Sequence, residues 1–213
     1  MLTKRPLKIF VDGYLLNKEY QGTKTYLKEL YKEFSVKNKD ISIFIGCFED
    51  AEIIKEFESY TNINWIFYKS TNRFIRMFFE LPKLIKEHNF HYAHFQYLIP
   101  FVRNKSTKYI TTIHDIIFND YKDQFSFSYR IVRNFLFKYS ARKTDLLLTV
   151  SDYSKERIKN VYKIDNKPIY VVANAVSKDY FEPYDKNVSK DYISNKYGIG
   201  RFVLYVSRIE PRK

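Results

Sequence analysis

The chain has a single cysteine, Cys47, which excludes an internal disulfide and reads as a small buried hydrophobe. No apolar run approaches the ~20 residues that span a bilayer. The N-terminus, MLTKRPLKIFVDG, holds an apolar run of five residues, too short for a signal-peptide core, so a cytoplasmic chain is expected. Neither G-x-G-x-x-G nor G-x-x-x-x-G-K-[ST] occurs, so the usual dinucleotide and P-loop phosphate cradles are missing. There is no internal repeat and no low-complexity tract. Acidic residues are the scarcer charge: 24 against 37 Lys and Arg, for a formal net charge of +13. That excess favours polyanionic company, whether nucleic acid, an anionic membrane face or phosphorylated substrates.

What is present is a regular alternation. Strand-like apolar runs lie at Leu7–Val11, Ile41–Ile45, Ile63–Tyr68, Tyr92–Phe95, Tyr109–Ile113, Leu146–Val150, Ile169–Val172 and Phe202–Val206. Helix-length segments separate most of them. Thr23–Phe34 is amphipathic through Tyr26, Leu27, Leu30, Tyr31 and Phe34, and Glu49–Ser59 reads as a short acidic helix. Phe74–His88 carries Phe74, Phe78, Leu81 and Ile85 on one face, with a kink expected at Pro82. Phe127–Lys143 aligns Val132, Phe135, Leu136 and Tyr139, and Ser151–Tyr162 opens on candidate N-caps Ser151 and Asp152. Strands alternating with helices predict an α/β fold with a doubly wound, mostly parallel sheet. Residues 183–200 are polar and charged, with a short helix expected over Lys190–Tyr197, and read as an interdomain connection. The closing strand-and-basic-turn, 203–213, reads as the opening of a second domain.

Ligands on doubly wound sheets sit outside the carboxyl ends of the strands, which directs attention to the residues after each strand. Asp12 and Gly13 follow the first strand, and Gly22-Thr23 opens the first helix. A glycine there lets the backbone approach an anion at a helix N-terminus, or is an ordinary loop residue before a threonine cap. His114-Asp115 follows the fifth strand; the pair suits hydrogen bonding to sugar hydroxyls or proton movement, or local hydrogen bonding and a turn cap. Ser151, after the sixth strand, either faces a ligand or only caps a helix. Arg208 and Lys213, with four residues between them in the terminal turn, suit a diphosphate or form a solvated basic end. His88, His91 and His94 are evenly spaced, but the last two fall at a strand entry that scatters the rings, and no metal site is expected.

In this order and spacing, four stretches resemble a glycosyltransferase of the GT-B type, family 4. KIFVDGYLLNKEYQGTKTY (8–26) is similar to its opening strand and glycine loop, ITTIHD (110–115) to its His-Asp strand end, and LTVSDYSKERI (148–158) to its VSxxSxxxI segment. VVANAVSKDYFE (171–182) with LYVSRIEPRK (204–213, after Val203) is similar to its NGVD…F turn and its GRxxxxK opening of the second domain. The resemblance implies a Rossmann-like acceptor-binding domain over 1–182, a linker over 183–200 and the start of a donor-binding domain over 201–213. It implies retaining transfer from a nucleotide-sugar, generally without metal or other cofactor. Gly22 and Thr23 would lie near the donor phosphate, His114 and Asp115 at the reacting sugar, Arg208 and Lys213 on the diphosphate, and Asp12 and Ser151 toward substrate. Departures stand at Ser207 and Ala175, where the family has glycine, and at Lys24, where it has arginine. The family's paired glutamates fall beyond Lys213, so these residues alone are expected to be inactive.

Two segments mix basic and aromatic residues: Arg73–Lys86 with Arg76 and Lys83, and Arg130–Lys143 with Arg133, Lys138 and Arg142. Either they pack on a core with a solvated basic face or they lie on anionic lipid, which would suit a lipid-linked acceptor and a peripheral position on the inner membrane face. The expected function is the acceptor side of a sugar transferase building polysaccharide or glycolipid. The competing readings are a non-catalytic subunit pairing with a separate donor domain, and a basic nucleic-acid binder, which the first reading excludes as a partner.

Overall fold

The computed structural model describes residues 6–18, 22–176 and 178–206. The chain divides into two compact units, Met1–Ala175 and Val176–Lys213. The first is built on a sheet of seven strands: β1 (Leu7–Asp12), β2 (Ile41–Cys47), β3 (Ile63–Phe67), β4 (Tyr92–Gln96), β5 (Lys108–Thr112), β6 (Leu146–Thr149) and β7 (Ile169–Val171). Their order is β3-β2-β1-β4-β5-β6-β7 and every pairing is parallel. This is the expected α/β Rossmann-like fold. The order changes direction between β1 and β4, the topological switch at which such sheets form a crevice.

The strands alternate their side chains between two apolar layers, as a sheet covered on both faces requires. Ile9, Val11, Ile43 and Ile45 pack with Tyr26, Leu27 and Tyr31 of α1 (Gly22–Lys37) and Ile53 of α2 (Ala51–Glu56). On the opposite face, Phe10 and Phe95 pack with Leu81 and Ile85 of a helix over 73–88 (α3), with Phe137 and Ala141 of α4 (Phe127–Lys143), and with Ile158 and Tyr162 of α5 (Asp152–Tyr162). The helices start where side-chain oxygens accept free N–H groups: Asp50 from Glu52 and Ile53 (3.1 and 3.3 Å), Asn72 from Phe74 (2.9 Å) and Ser151 from Ser154 (3.1 Å). No helix among the described residues is long and apolar enough to cross a membrane.

α3 departs from the expected phase. It begins as α-helix (Arg73–Ile75), widens into a π turn (Arg76–Glu80) and resumes as α-helix (Leu81–His88). Pro82 lacks an N–H and its ring crowds the preceding turn's carbonyl; the π turn just before it absorbs both. The extra residue rotates the first turns, so Met77, Leu81, Leu84 and Ile85 are buried while Phe74 is 74% exposed and Phe78 and Phe79 face outward. α4 likewise buries Phe137, Ser140 and Ala141, leaving Val132 and Phe135 exposed and Leu136 and Tyr139 half-buried.

The second unit holds a 3-10 turn (Lys178–Phe181) and α6 (Lys186–Tyr197), which starts earlier than expected because Asp185 accepts from Asn187 and Val188 (2.7 and 3.2 Å). α6 buries no residue. Phe202–Val206, expected as a strand, is irregular, with Val203 98% exposed. A strand needs a neighbour for its backbone groups, and among the described residues of this unit there is none.

Candidate active site

All seven strands run the same way, so their carboxyl ends form one edge. There β1 ends on Asp12, β4 on Gln96, β5 on Thr112 just before His114, and β6 on Thr149 just before Ser151. His114 is 7% exposed. Its Nε2 lies 2.8 Å from Gln96 Oε1, and the Gln96 Nε2 lies 3.3 Å from His94 Nε2. His94 Nε2 is also 2.8 Å from Thr112 Oγ1, and His94 Nδ1 is 2.6 Å from the Tyr31 hydroxyl. With the Gln96 carbonyl toward His114, that ring carries its proton on Nε2, donates it to Gln96 and keeps a lone pair on Nδ1. No hydrogen bond reaches Nδ1 among the described residues.

Burial sets the charge of both rings. Desolvation lowers His114 from its ordinary value to about 4. Desolvation, then the neighbouring His114, lowers His94 to about 3. Both are neutral at pH 7. His114 is therefore a fixed hydrogen-bond acceptor rather than a cation. Its ring is held edge-on by Tyr26 (4.8 Å between centroids) and flanked by Tyr97 (5.3 Å).

Tyr97 has φ +64°, a left-handed conformation that is costly for a bulky residue, by ~1–3 kcal/mol. Its N–H donates to Thr112 O at 2.8 Å and its ring stacks on Phe137 at 5.1 Å, which hold it there. The result is an aromatic wall beside His114.

Next to this wall is a polar hollow of about 240 Å³ lined by Asp12, Tyr14, Thr23, Gln96, Tyr97 and three guanidiniums, Arg73, Arg76 and Arg133. Asp12 Oδ1 accepts from the Tyr68 hydroxyl (2.6 Å), the Tyr14 N–H (3.3 Å) and Arg76 Nη1 (3.4 Å). Arg76 is buried and lies 3.6 Å over the Tyr14 ring. Arg73 and Arg133 make no ion pair among the described residues, where the ion-paired arginines are Arg76, Arg103 and Arg157. The Arg73 guanidinium is pushed below its ordinary range by desolvation, then by Arg133 and Arg76. The hollow thus concentrates positive charge.

Thr23, Asp12 and, through Gln96 and Tyr97, His114 come together at this edge. Gly22 is the exposed first residue of α1, with open space around its Cα. Asp115 Oδ1 accepts from Ile117 N (3.2 Å), and its charge is felt by the Tyr97 hydroxyl, which burial pushes up. Ser151 caps α5. Arg208 and Lys213 lie outside the described residues. The evenly spaced histidines go to separate settings: His88 stacks on Phe90, His91 Nδ1 accepts from Lys8 N (3.0 Å), and His94 is in the buried network. Gln96 and Tyr97 are not marked by the sequence pattern; the available signal is a second polar residue, Gln96, in the short strand that already holds His94.

Comparison with known proteins decides the family. A sequence model described as Glycosyltransferase Family 4 matches residues 20–180. The chain belongs to glycosyltransferase family 4. It is 36% identical over 83 residues to the O-antigen chain mannosyltransferase RfbU of Salmonella typhimurium strain LT2, an alignment covering 39% of this chain and 22% of that protein. Its fold matches a glycosyltransferase from Rickettsia africae ESF-5 (TM-score 0.51, 19% identity, 92% of this chain and 50% of that one). It also matches Anabaena Alr3699/HepE, solved with UDP and glucose (TM-score 0.53, 13% identity, 91% and 50%). This family 4 chain therefore spans about half the length of those solved structures.

Proposed function

We propose that this chain is the acceptor-side part of a retaining glycosyltransferase that moves a sugar from a nucleotide-sugar to a polysaccharide or lipid-linked acceptor. In that reaction the bond from the anomeric carbon to the diphosphate oxygen breaks, and an acceptor hydroxyl oxygen bonds the same carbon. The hydroxyl proton leaves on the diphosphate. The observation that carries the reading is His114, neutral, anchored through Nε2 to Gln96 and unpartnered at Nδ1, at the carboxyl edge of a parallel sheet. A neutral acceptor suits a sugar hydroxyl, whose O–H it orients without placing a second cation beside the positive charge that develops on the sugar ring.

Thr23 and the start of α1, with Gly22, then face the donor phosphate, and Asp12 and Ser151 lie toward substrate. Arg208 and Lys213 hold the diphosphate, which departs as an anion needing neutralisation on both phosphates. The donor nucleotide is gripped by residues outside the sheet described above, in the same polypeptide or in a separate donor domain, so these 213 residues tested by themselves transfer no sugar. The work takes place at the cytoplasmic face of the membrane, and neither a metal nor another cofactor takes part. Incubating the natural polypeptide that carries this sequence with radiolabelled UDP- and GDP-sugars and a membrane lipid extract tests the reading. Label passing into glycan or glycolipid supports it; hydrolysis or no reaction with every donor rejects it.

A further inference from the structure

The polar hollow has an apolar neighbour. An open groove of about 670 Å³ runs between α3 and α4, lined by Phe78, Leu98, Phe101, Val132, Leu136 and Tyr139 among others. Its walls are built rather than incidental: Phe78 stacks on Phe101 at 5.3 Å, and Phe101 meets Tyr139 at 4.6 Å. Groove and hollow share Arg73, Met77, Leu98 and Arg133, so the two guanidiniums stand where the apolar trough meets the polar depression. Gln96, the residue that anchors His114, lines the far, polar side. Phe74, which lines the trough, and Phe79, Phe127 and Phe135 on the same two helices are each at least two-thirds exposed, apolar surface that water does not favour.

The apolar trough and the polar hollow meet at Arg73 and Arg133, and Gln96 of the hollow anchors His114. A molecule matching that arrangement has an apolar chain, then an anionic group, then a sugar. We propose that the acceptor of this protein is a single amphiphile of that kind, a long-chain lipid phosphate or diphosphate carrying the sugar to be extended. Its chain lies between α3 and α4, its phosphate on Arg73 and Arg133, and its sugar beside Gln96 and His114. This rests on the proposed transfer reaction and names its substrate class. Charge complementarity selects a phosphate head over a neutral one. The like charges of Arg73 and Arg133 repel each other until an anion arrives, and a guanidinium binds phosphate in bidentate fashion.

The probe is dodecyl phosphate below its micelle concentration, with inorganic phosphate and dodecyl maltoside as half-probes, measured by titration calorimetry. Dodecyl phosphate should bind at least ~10-fold more tightly than either half-probe. Arg73→Gln and Arg133→Gln should each weaken it by about 10-fold and leave dodecyl maltoside unchanged, the loss of one charge-assisted hydrogen-bonded contact. Val132→Glu, at an exposed groove position, should weaken both amphiphiles and spare inorganic phosphate. Equal binding of inorganic phosphate overturns the proposal, as do arginine variants that bind like the parent. Binding only to phosphatidylglycerol vesicles, with none to monomeric dodecyl phosphate, overturns it in favour of a membrane-docking face. No binding of either amphiphile overturns it in favour of a trough filled by a protein segment. Transfer to a water-soluble glycan with no gain from a lipid chain removes this proposal and leaves the transferase reading. Intact dodecyl phosphate binding without transfer to any acceptor rejects the transferase reading and with it the acceptor role, leaving a lipid-phosphate binding site.

Discussion

The sheet edge around His114 and the trough between α3 and α4 use similar residues to opposite ends. At the edge, Tyr26, Tyr31 and Phe95 are buried, and His94 has both ring nitrogens hydrogen-bonded. At the trough, Phe74 and Val132 are exposed. A closed, satisfied region fixes geometry, because every group in it resists displacement. An open apolar region contributes little to folding and waits for something to cover it. In this fold the strands hold their side chains in place, whereas the open apolar surface belongs to the helices over them.

The comparison breaks most sharply on stability. Phe95→Ala, at a fully buried ring, should cost about 3–5 kcal/mol in urea unfolding. Acidification tests the same closed region. Both rings are neutral when folded, with His114 at about 4 and His94 at about 3, whereas unfolded histidine titrates near 6.5. The unfolded chain therefore binds protons first as pH falls. The histidine contribution to stability is whole above pH ~6.5 and is lost on the way down toward 4 and 3. Between pH 7 and 5 each ring should cost on the order of 2 kcal/mol, read as a falling urea midpoint. A midpoint flat over that interval would mean the rings are not sealed. Gln96→Leu sharpens the argument: transfer should fall about 10-fold with little change in KM, because the ring loses the partner that fixes its tautomer. If KM rises instead, Gln96 binds acceptor directly. The smallest effect belongs to the trough, where Phe74→Ala should change stability by less than ~0.5 kcal/mol.

Most of the architecture was legible in the sequence. Every strand of the sheet coincides with an apolar run, because strands buried on both faces leave near-continuous hydrophobic signatures such as Leu146–Leu148. His114 and Asp12 stood out because polar residues directly after such runs have few structural reasons to be there. The helices were read less well. The π turn at Arg76–Glu80 changes the period within one helix, so Phe74 and Phe78 looked buried and are not. Phe202–Val206 has the composition of a strand without a neighbouring one to pair with. Gln96 and Tyr97 matter through partners remote in sequence, such as His114 and Phe137, and no local pattern announces such contacts.

The proposed reaction stands or falls on His114. In the natural polypeptide, His114→Ala should lower kcat for sugar transfer at least ~100-fold while unfolding remains cooperative. Undiminished turnover in a folded His114→Ala protein would contradict the account.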